Sequence, residues 1–491
     1  MRKRIVVAIA AGTLLLGSAG CKDNAEPRPS LVNDGVTTTS PNDREITTSA
    51  QDEDMIVPID EEHFPSKNFR QYVKDMYDHN NDDILDASSI QDVTAIQVTS
   101  MEIDSLKGIE FFPNLEELNC KGNALTELDL SKNKALKKLE CGAFRYAQTI
   151  YDASEYAYVS ASKEGYSWIK LDLSNNTELE YLDCSYSNLS ELELGANANL
   201  KYLNFHGCDL ASVDLSRLSG LEYLKCSYNQ LVNLTTGDSK TLTEIDCSHN
   251  SLYVLDVSQN TALETLKCSN NYLTNLDISQ NTALRELHCG YNHLTKLDTT
   301  ANAVLEHLIC NSNEVKQLNL SHNTALIRLN CEKNQIHSLD LSAVTSLESL
   351  DCGDNQLTEL DLSYTPHLKE ISCEHNELTE LDIRDKVRLE YLDCSWNRLK
   401  ELDVSNNSEL QMICCDANML TTLDVSDHEK LEWLFCEHNG LTSLNVENDT
   451  GLWRLGCRGN ELTTLYVYVS ESVCELGCDD QVEIHYLGGN E

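Results

Sequence analysis

The stretch Leu263-Glu-Thr-Leu266-Lys-Cys268-Ser-Asn-Asn271-Tyr-Leu273-Thr-Asn-Leu276-Asp277-Ile278-Ser279 recurs along this 491-residue chain with a period of 21 residues. Phe205 takes the cysteine position in one copy, and the 43-residue interval between Cys141 and Cys184 leaves one copy with a 22-residue insertion. A fixed period of this length indicates a solenoid. Sixteen of the twenty cysteines lie in the register of Cys268: Cys120, Cys141, Cys184, Cys226, Cys247, Cys268, Cys289, Cys310, Cys331, Cys352, Cys373, Cys394, Cys415, Cys436, Cys457 and Cys478.

Each unit carries two apolar patterns. Leu263, Leu266 and Cys268 place apolar residues on one face of a short strand, and Leu273, Leu276 and Ile278 repeat the pattern. The spacing therefore predicts two short strands in every coil. No unit can bury its leucines alone, so stacked coils should form parallel ladders around one continuous core.

The consensus Leu-x-x-Leu-x-Cys-x-x-Asn-x-Leu resembles that of the leucine-rich-repeat family. The 21-residue length, with cysteine in the ladder, resembles the internalin J-like bacterial surface proteins. The resemblance covers roughly residues 93 to 478. It implies a curved, β-rich right-handed horseshoe of about 17 coils with a small helical N-terminal cap. It also implies a protein that binds another macromolecule and has no catalytic chemistry.

The cysteine column admits three interpretations: metal ligands, disulfides or small buried side chains. Stacked coils place these thiols in a line, whereas a tetrahedral zinc site needs converging ligands. Neighbouring rungs also hold their Cβ atoms slightly too far apart for relaxed disulfides. We therefore expect buried free thiols that let the coils stack closely.

Two polar columns follow the same period. Thirteen asparagines, Asn271 among them, lie three residues after the ladder position, where their amides can satisfy backbone groups. Eleven aspartates, including Asp277, suggest a calcium ladder at first sight. They usually precede an apolar residue and a serine, however, and this favours turn capping.

Residues 1–20 have the features of a lipoprotein signal peptide, with a basic start, an apolar stretch and a small-residue cleavage site. Ser18-Ala-Gly-Cys21 resembles the lipobox of bacterial lipoproteins, which implies acylation of Cys21. The alternative is a plain secretory peptide with an incidental cysteine. Residues 21–57, rich in Ser, Thr, Asn, Pro and acids, are predicted to be a disordered tether.

Residues 58–97 are predicted to form the helical N-terminal cap. Within it, Asp78, Asn80 and Asp82 match positions 1, 3 and 5 of an EF-hand loop, which this segment resembles. Asp83 replaces the turn glycine and Ser89 the bidentate glutamate, so the loop is degenerate. We expect no cofactor and an acidic turn in this segment, with weak Ca²⁺ binding at 78–89 as the alternative. The solenoid should span 98–466, with the insertion at about 142–168, and a C-terminal cap should span 467–491.

The positions that the repeat leaves free carry two aromatic clusters. In leucine-rich-repeat proteins the side chains at −4, −3, −1, +1 and +2 from the ladder residue reach solvent on the concave face. Aromatic side chains on a rigid sheet are typical binding anchors, although neighbouring rungs also stack aromatics for stability alone. The candidate ligand-binding residues are Tyr181, Tyr186, Tyr202, Tyr223 and Tyr228 near one end, and Tyr391, Trp396, Trp433, Phe435 and Trp453 near the other.

Eighty acidic residues against 37 basic ones give a formal charge of −43. Such a surface repels nucleic acid and anionic headgroups, so membrane attachment is expected through the N-terminal lipid alone. No catalytic motif interrupts the repeats, so no enzyme is predicted. We expect an adhesin or recognition protein at the bacterial cell surface or outer membrane. It should bind a protein ligand through the concave face, and a host is one source of such a ligand. The alternatives are glycan capture for nutrient uptake and a structural spacer without a ligand.

Overall fold

The computed structural model describes residues 56–143, 170–446, 451–468 and 475–487. The predicted signal peptide with Cys21, almost all of the predicted tether and most of the 142–168 insertion lie outside the described residues. None of the described helices is long and apolar enough to cross a membrane.

One parallel sheet runs the length of the molecule, with one three-residue strand from each coil. Neighbouring strands pair in register, so that Leu266 lies opposite Ile245 on one side and Leu287 on the other. The sheet is open, since its first and last strands each pair with a single neighbour. Its strands are Ala95–Gln97, Glu117–Asn119, Lys138–Glu140, Tyr181–Asp183, Tyr202–Asn204, Tyr223–Lys225, Glu244–Asp246, Thr265–Lys267, Glu286–His288, His307–Ile309, Arg328–Asn330, Ser349–Asp351, Glu370–Ser372, Tyr391–Asp393, Met412–Cys414, Trp433–Phe435, Arg454–Gly456 and Glu475–Gly477.

The core lies directly behind this sheet. The central residue of nearly every strand is a buried leucine or isoleucine, and the ladder cysteine that follows it is buried as well. Every cysteine in the described part of the chain is a free thiol, and all but Cys478 are buried. Burial raises the pKa of the thiols, to about 12 for Cys310. The predicted leucine-rich-repeat solenoid with a buried cysteine ladder is confirmed.

The prediction of a second strand in every coil is wrong for most coils. Short parallel pairs form only at some places in the described residues, and two isolated bridges, Leu297 with Leu318 and Asp424 with Asn445, add to them. The aspartate column caps turns, as its pattern predicts: Asp277 Oδ1 accepts from the backbone N–H of Ser279 at 3.0 Å. The short parallel strands are Glu127–Asp129 with Lys170–Asp172, Leu234–Thr235 with Leu255–Asp256, and the set Asn445–Val446, Thr464–Tyr468 and Glu483–Leu487.

The asparagine column joins successive coils. Asn292 Nδ2 donates to the carbonyls of Cys268 and Cys289, both at 3.1 Å, and its Oδ1 accepts from the backbone N–H of Leu273 at 3.0 Å. Nδ2 also donates to the Gly290 carbonyl at 3.2 Å, so one side chain contacts four backbone groups on two coils, as the sequence predicts for this column. Where the column carries cysteine, Cys208 Sγ takes over one of these bonds and donates to the Cys184 carbonyl at 3.1 Å.

The N-terminal cap closes the first coil. Its elements are the antiparallel strands Ile56–Pro58 and Ile84–Asp86, the helices Lys67–Tyr77 and Ala87–Ile90, and, after the first rung, the 3₁₀ turn Ile109–Phe111. Phe69 and Val73 of the first helix are fully buried, and this covers the open end of the core. Ser66 occupies the N-cap position, but its side chain makes no capping hydrogen bond.

Three predicted boundaries differ from the bounds of the elements. The main sheet begins at Ala95–Gln97, inside the segment 58–97 predicted as cap. The hairpin begins at Ile56, inside the predicted tether, because Val57 is buried against the cap. At the other end, Glu483–Leu487 pairs in parallel with Thr464–Tyr468, so residues predicted as the C-terminal cap extend the coil.

Candidate functional site

The solvent side of the main sheet, called the sheet face below, is built from the columns −4, −3, −1, +1 and +2 relative to the ladder residue. The pleat alternates buried and accessible side chains, so Leu266 points into the core while Thr265 and Lys267 are partly exposed. Each column continues from coil to coil at the spacing of parallel strands, about 4.8 Å. The sheet face is therefore a rigid grid whose side chains the repeat does not dictate.

The −3 column holds three adjacent tyrosines near the N-terminal end. Tyr181 and Tyr202 stack face to face, with ring centroids 4.2 Å apart, and Lys138 lies 4.8 Å from the Tyr181 ring. Burial raises the pKa of Tyr181. Tyr223 is tilted against Tyr202, and 41% of its surface remains exposed. Stacking between rungs thus occupies the first two tyrosines, and Tyr223 is the accessible member of the cluster.

A second aromatic row runs beside the first in the +1 and +2 columns. Tyr186 packs edge-on against His206 at 4.8 Å, and Tyr228 stacks on His249 at 4.1 Å. His206 Nδ1 also lies 2.7 Å from Ser227 Oγ. The two rows of rings border the polar −1 column, where Asp183 and its neighbours lie.

The C-terminal cluster divides into separate contacts. Trp396 stacks on His375 at 5.1 Å, whereas Trp433 and Trp453 contact each other at 5.9 Å. The guanidinium of Arg454 lies 5.5 Å from the Trp433 ring and 5.2 Å from the Trp453 ring.

Exposure separates the members of this cluster. Trp396 is 53% exposed and Trp453 38%, while Phe435 and Tyr391 are half-buried, with burial raising the pKa of Tyr391. Trp396 and Trp453 are consequently the accessible aromatics at this end.

The +2 column has a backbone property that the sequence did not reveal. Its residues adopt the left-handed conformation in one coil after another, including Tyr228 (φ 56°), His375 (φ 51°) and Trp396 (φ 54°). This conformation is costly for residues with a Cβ and normally favours glycine or asparagine. The residue types along the column vary widely, so no pattern of glycines signalled it.

Charge is unevenly distributed along the sheet face. On the eight rungs from Cys120 to Cys289, the five columns hold ten acidic and seven basic residues. On the five rungs from Cys352 to Cys436, called the acidic half below, they hold ten acidic residues and one basic residue, Lys369. The acidic residues of the first group are Glu116, Glu117, Glu140, Glu180, Asp183, Glu222, Glu244, Asp246, Glu264 and Glu286, and the basic ones are Lys121, Lys137, Lys138, Lys201, Lys225, Lys267 and Arg285. The acidic residues of the acidic half are Glu348, Asp351, Asp354, Glu370, Glu374, Glu390, Asp393, Asp416, Glu432 and Glu437.

Several carboxyl groups of the acidic half are largely removed from water. Burial, reinforced by Glu374 and Glu332, raises the pKa of Asp351 to about 8. Burial and the neighbouring Asp393 raise the pKa of Glu374 to about 7, and burial raises that of Asp416 to about 6. Ionisation of these groups costs free energy, because a buried carboxylate loses contact with water.

Within the described residues, Glu332, Asp354 and Glu374 form a group of carboxylates whose ligand atoms lie within 4.8 Å of one another. Lys333 Nζ already lies 2.7 Å from Glu332 Oε1 and 3.6 Å from Asp354 Oδ2. Gly353 makes room for Glu374, since a Cβ at this position would lie 2.5 Å from Glu374 Oε1. The chain's own lysine therefore neutralises part of this group.

The EF-hand-like loop is organised by its own hydrogen bonds. Asp78 accepts from the backbone N–H of Asp82 at 3.2 Å and of Asp83 at 3.0 Å, and Asp82 Oδ1 accepts from that of Ile84 at 3.0 Å. Asn80 Nδ2 donates to Asp82 Oδ2 at 3.0 Å. Lys74 pairs with Asp83, so a cation of the chain already lies beside the loop. The geometry is that of an acidic turn, and weak Ca²⁺ binding at 78–89 stays the alternative prediction.

The fold is shared with solved leucine-rich-repeat proteins. The chain is 26% identical to the functional domain of InlJ from Listeria monocytogenes, which includes a cysteine ladder, with a TM-score of 0.58 over 84% of this chain and 82% of that one. A leucine-rich-repeat protein from Leptospira interrogans, LIC12759, is 21% identical, with a TM-score of 0.54 over 81% and 92% of the two chains. A TDR receptor is 17% identical, with a TM-score of 0.62 over 82% of each chain. No family model matches the chain, and neither does any curated protein.

Proposed function

We propose that this leucine-rich-repeat solenoid, with its InlJ-like cysteine ladder, is a surface recognition protein that binds a protein ligand through the sheet face. The observation that carries the proposal is the exposure of Tyr223, Trp396 and Trp453 on a rigid sheet, at positions that the repeat leaves free. Large aromatic side chains on such a support are the usual anchors of protein interfaces.

The strained +2 column supports the same function. Trp396 and Tyr228 hold a left-handed backbone that costs a residue with a Cβ roughly 1 kcal/mol. Glycine, which the column carries at Gly122, Gly207 and Gly459, avoids that cost. A scaffold that needed only stability would favour glycine or asparagine here, and bulky aromatics at these positions indicate a role in contact.

The proposed activity is binding, without catalysis. On the described sheet face most polar groups form stacks, ion pairs and buried carboxylates. The Ser227 hydroxyl beside His206 is buried and donates to Asp246 Oδ2 at 3.0 Å, so His206 is not its proton acceptor. We further propose that acylated Cys21 anchors the protein at the bacterial surface, as its lipobox-like context suggests. Labelling with a radioactive fatty acid, compared between the natural chain and Cys21→Ser, tests the anchor.

Site-specific photocross-linking tests the proposed function. Benzoylphenylalanine in place of Trp396 or Tyr223, in the chain probed on arrays of extracellular proteins and of glycans, should cross-link to a protein bound on the array. The control places the same group at Tyr364, which is similarly exposed but lies outside the five columns of the sheet face. Equal cross-linking from Tyr364, or retention only on glycans, would contradict the proposal.

A further inference from the structure

The acidic half is a sheet face whose charge the described residues compensate only in part. Its ten carboxylates and one lysine sum to −9 if all are ionised. Among the described residues, two ion pairs reach this set: Lys369 with Glu348 at 2.7 Å, and Lys333 with Asp354 at 3.6 Å. The eight rungs from Cys120 to Cys289 show no such excess, so the charge belongs to one region of the face.

We propose that the acidic half docks a segment of the protein ligand that carries several lysine or arginine side chains. This inference rests on the proposed function and specifies the chemistry of the partner. Complementary charge of this kind gives an interface specificity and fast association.

Desolvation adds to the need for a cationic partner. Glu374 is buried, and burial raises the pKa of Asp351, Asp393 and Asp416 beside it along the face. A partly buried carboxylate without a counter-ion is costly to ionise. A lysine or arginine from a partner offsets this cost at several rungs at once.

Trp396 supplies a place for such a side chain to pack. One face of its indole stacks on His375 of the preceding rung. The next residue in the same column is Ala417, whose methyl group is too small to cover a ring. Cationic side chains pack well on tryptophan faces, as Arg454 does against Trp433 and Trp453 of the same sheet face. Asp393 lies on the rung of Trp396 and Asp416 on the rung of Ala417, so their carboxylates lie near the cationic side chain that packs on the indole.

The distribution of the carboxylates favours a polypeptide over a metal ion. They extend over five rungs, about 20 Å at the spacing of parallel strands. A metal ion contacts ligands within a few ångströms. Among the described residues, the group that close is Glu332 with Asp354 and Glu374, and Lys333 already lies beside it. An uncharged polysaccharide can donate hydrogen bonds to these carboxylates but cannot neutralise their charge.

The test uses the full chain and a synthetic arginine–glycine–serine repeat peptide. The control is the same peptide with glutamate in place of every arginine. Three of the four tryptophans lie on the sheet face at positions 396, 433 and 453, so tryptophan fluorescence reports binding. We expect saturable binding of the arginine peptide that weakens as salt is added. The glutamate peptide should not bind.

A matched pair of triple variants locates the contact. Asp393→Asn with Asp416→Asn and Glu437→Gln should weaken binding about 10-fold or more. Asp277→Asn with Asp298→Asn and Asp340→Asn removes the same charge from the turn column while keeping each capping oxygen, and it should leave binding nearly unchanged.

Three results would overturn the inference: no saturable binding of the arginine peptide, equal losses in the two triple variants, or displacement of the peptide by micromolar Ca²⁺. The photocross-linking experiment separates this failure from failure of the proposed function. Cross-links to a protein from Trp396 and Tyr223 without peptide binding would leave the sheet face as the binding site and exclude only a basic partner.

Discussion

The side-chain amide of Asn281 donates to the backbone carbonyl of Val257 at 2.9 Å, but its buried Oδ1 accepts no hydrogen bond from any described residue. One coil earlier the corresponding asparagine oxygen does accept a hydrogen bond. Thr236 occupies the position of Val257, and its hydroxyl donates to Asn260 Oδ1 at 2.6 Å. Thr299 does the same for Asn323 at 2.8 Å. The side chain 24 residues earlier thus decides whether this second asparagine column is satisfied.

Val257→Thr should therefore stabilise the protein. Threonine is close in shape to valine, and its hydroxyl would supply the donor that Asn281 Oδ1 lacks, for a gain of about 1 kcal/mol. Urea unfolding followed by circular dichroism measures the change. The control is Val315→Thr, at another fully buried valine, where the hydroxyl is expected to cost roughly 1–3 kcal/mol. Equal destabilisation by the two variants would show that the orphaned oxygen is not accessible to a hydroxyl.

A glycine placed in the left-handed +2 column should stabilise the protein, whereas a glycine substitution usually destabilises a folded protein. Ala417 has φ 51°, and its methyl group contributes little packing, so Ala417→Gly should stabilise the protein by about 0.5–1 kcal/mol. Ala262→Gly, in a turn without positive φ, should destabilise it by a similar amount. The urea midpoints of the two variants should move in opposite directions, and movement in the same direction would refute the strain argument.

Glu374→Gln should raise stability at pH 8 and flatten its dependence on pH. The pKa of Glu374 is about 7 in the folded chain against 4.5 for a free glutamate, so the native state holds the extra proton between these values. The free energy of unfolding should therefore fall as pH rises from 4.5 to 7. Glutamine keeps an acceptor for the Ser372 hydroxyl and has no charge to desolvate.

Urea midpoints of the natural chain and Glu374→Gln between pH 5 and 8 provide the measurement. Asp351, with a pKa of about 8, stays in both proteins, so part of the slope should remain. Glu348→Gln is the control, because Lys369 lowers the pKa of Glu348 and its removal cannot stabilise the protein by the same route. A midpoint at pH 8 that falls in Glu374→Gln would contradict the role of desolvation.

Thiol alkylation tests the cysteine ladder. Cys289 and Cys310 are fully buried, and burial raises the pKa of both thiols, so iodoacetamide at pH 8 should not label them in the folded protein. The half-exposed Cys478 should react, and in urea all three should react. Mass spectrometry of the labelled peptides gives the rates. Labelling of Cys310 as fast as that of Cys478 would show that the ladder opens to solvent.

Much of the scaffold was predictable because a 21-residue period superimposes every coil. The buried thiols, the backbone-satisfying role of Asn292 and the capping role of Asp277 follow from position alone. The second buried asparagine column, which contains Asn260 and Asn281, has the same period and could have been found by the same count.

Other features could not be read from the period. The left-handed backbone at Trp396 is independent of residue type, and the stacking of Tyr181 on Tyr202 depends on side-chain orientation. Desolvation of Glu374 depends on how its neighbours pack, including the absence of a Cβ at Gly353. The excess of acids from Cys352 to Cys436 was visible in the sequence only after each column had been assigned to the sheet face.

In the proposed function the sheet face, and not another surface of the solenoid, holds the ligand. Two triple variants, each with three aromatic residues changed to alanine, are compared for binding to a protein that the array retains. The first is Tyr223→Ala with Trp396→Ala and Trp453→Ala, and the second is Tyr253→Ala with Tyr272→Ala and Tyr364→Ala. The second set is comparably exposed but lies outside the five columns. The dissociation constant should rise at least about 100-fold in the first variant and change less than about threefold in the second. A comparable rise in both, or a rise in the second alone, would place the binding site elsewhere on the solenoid.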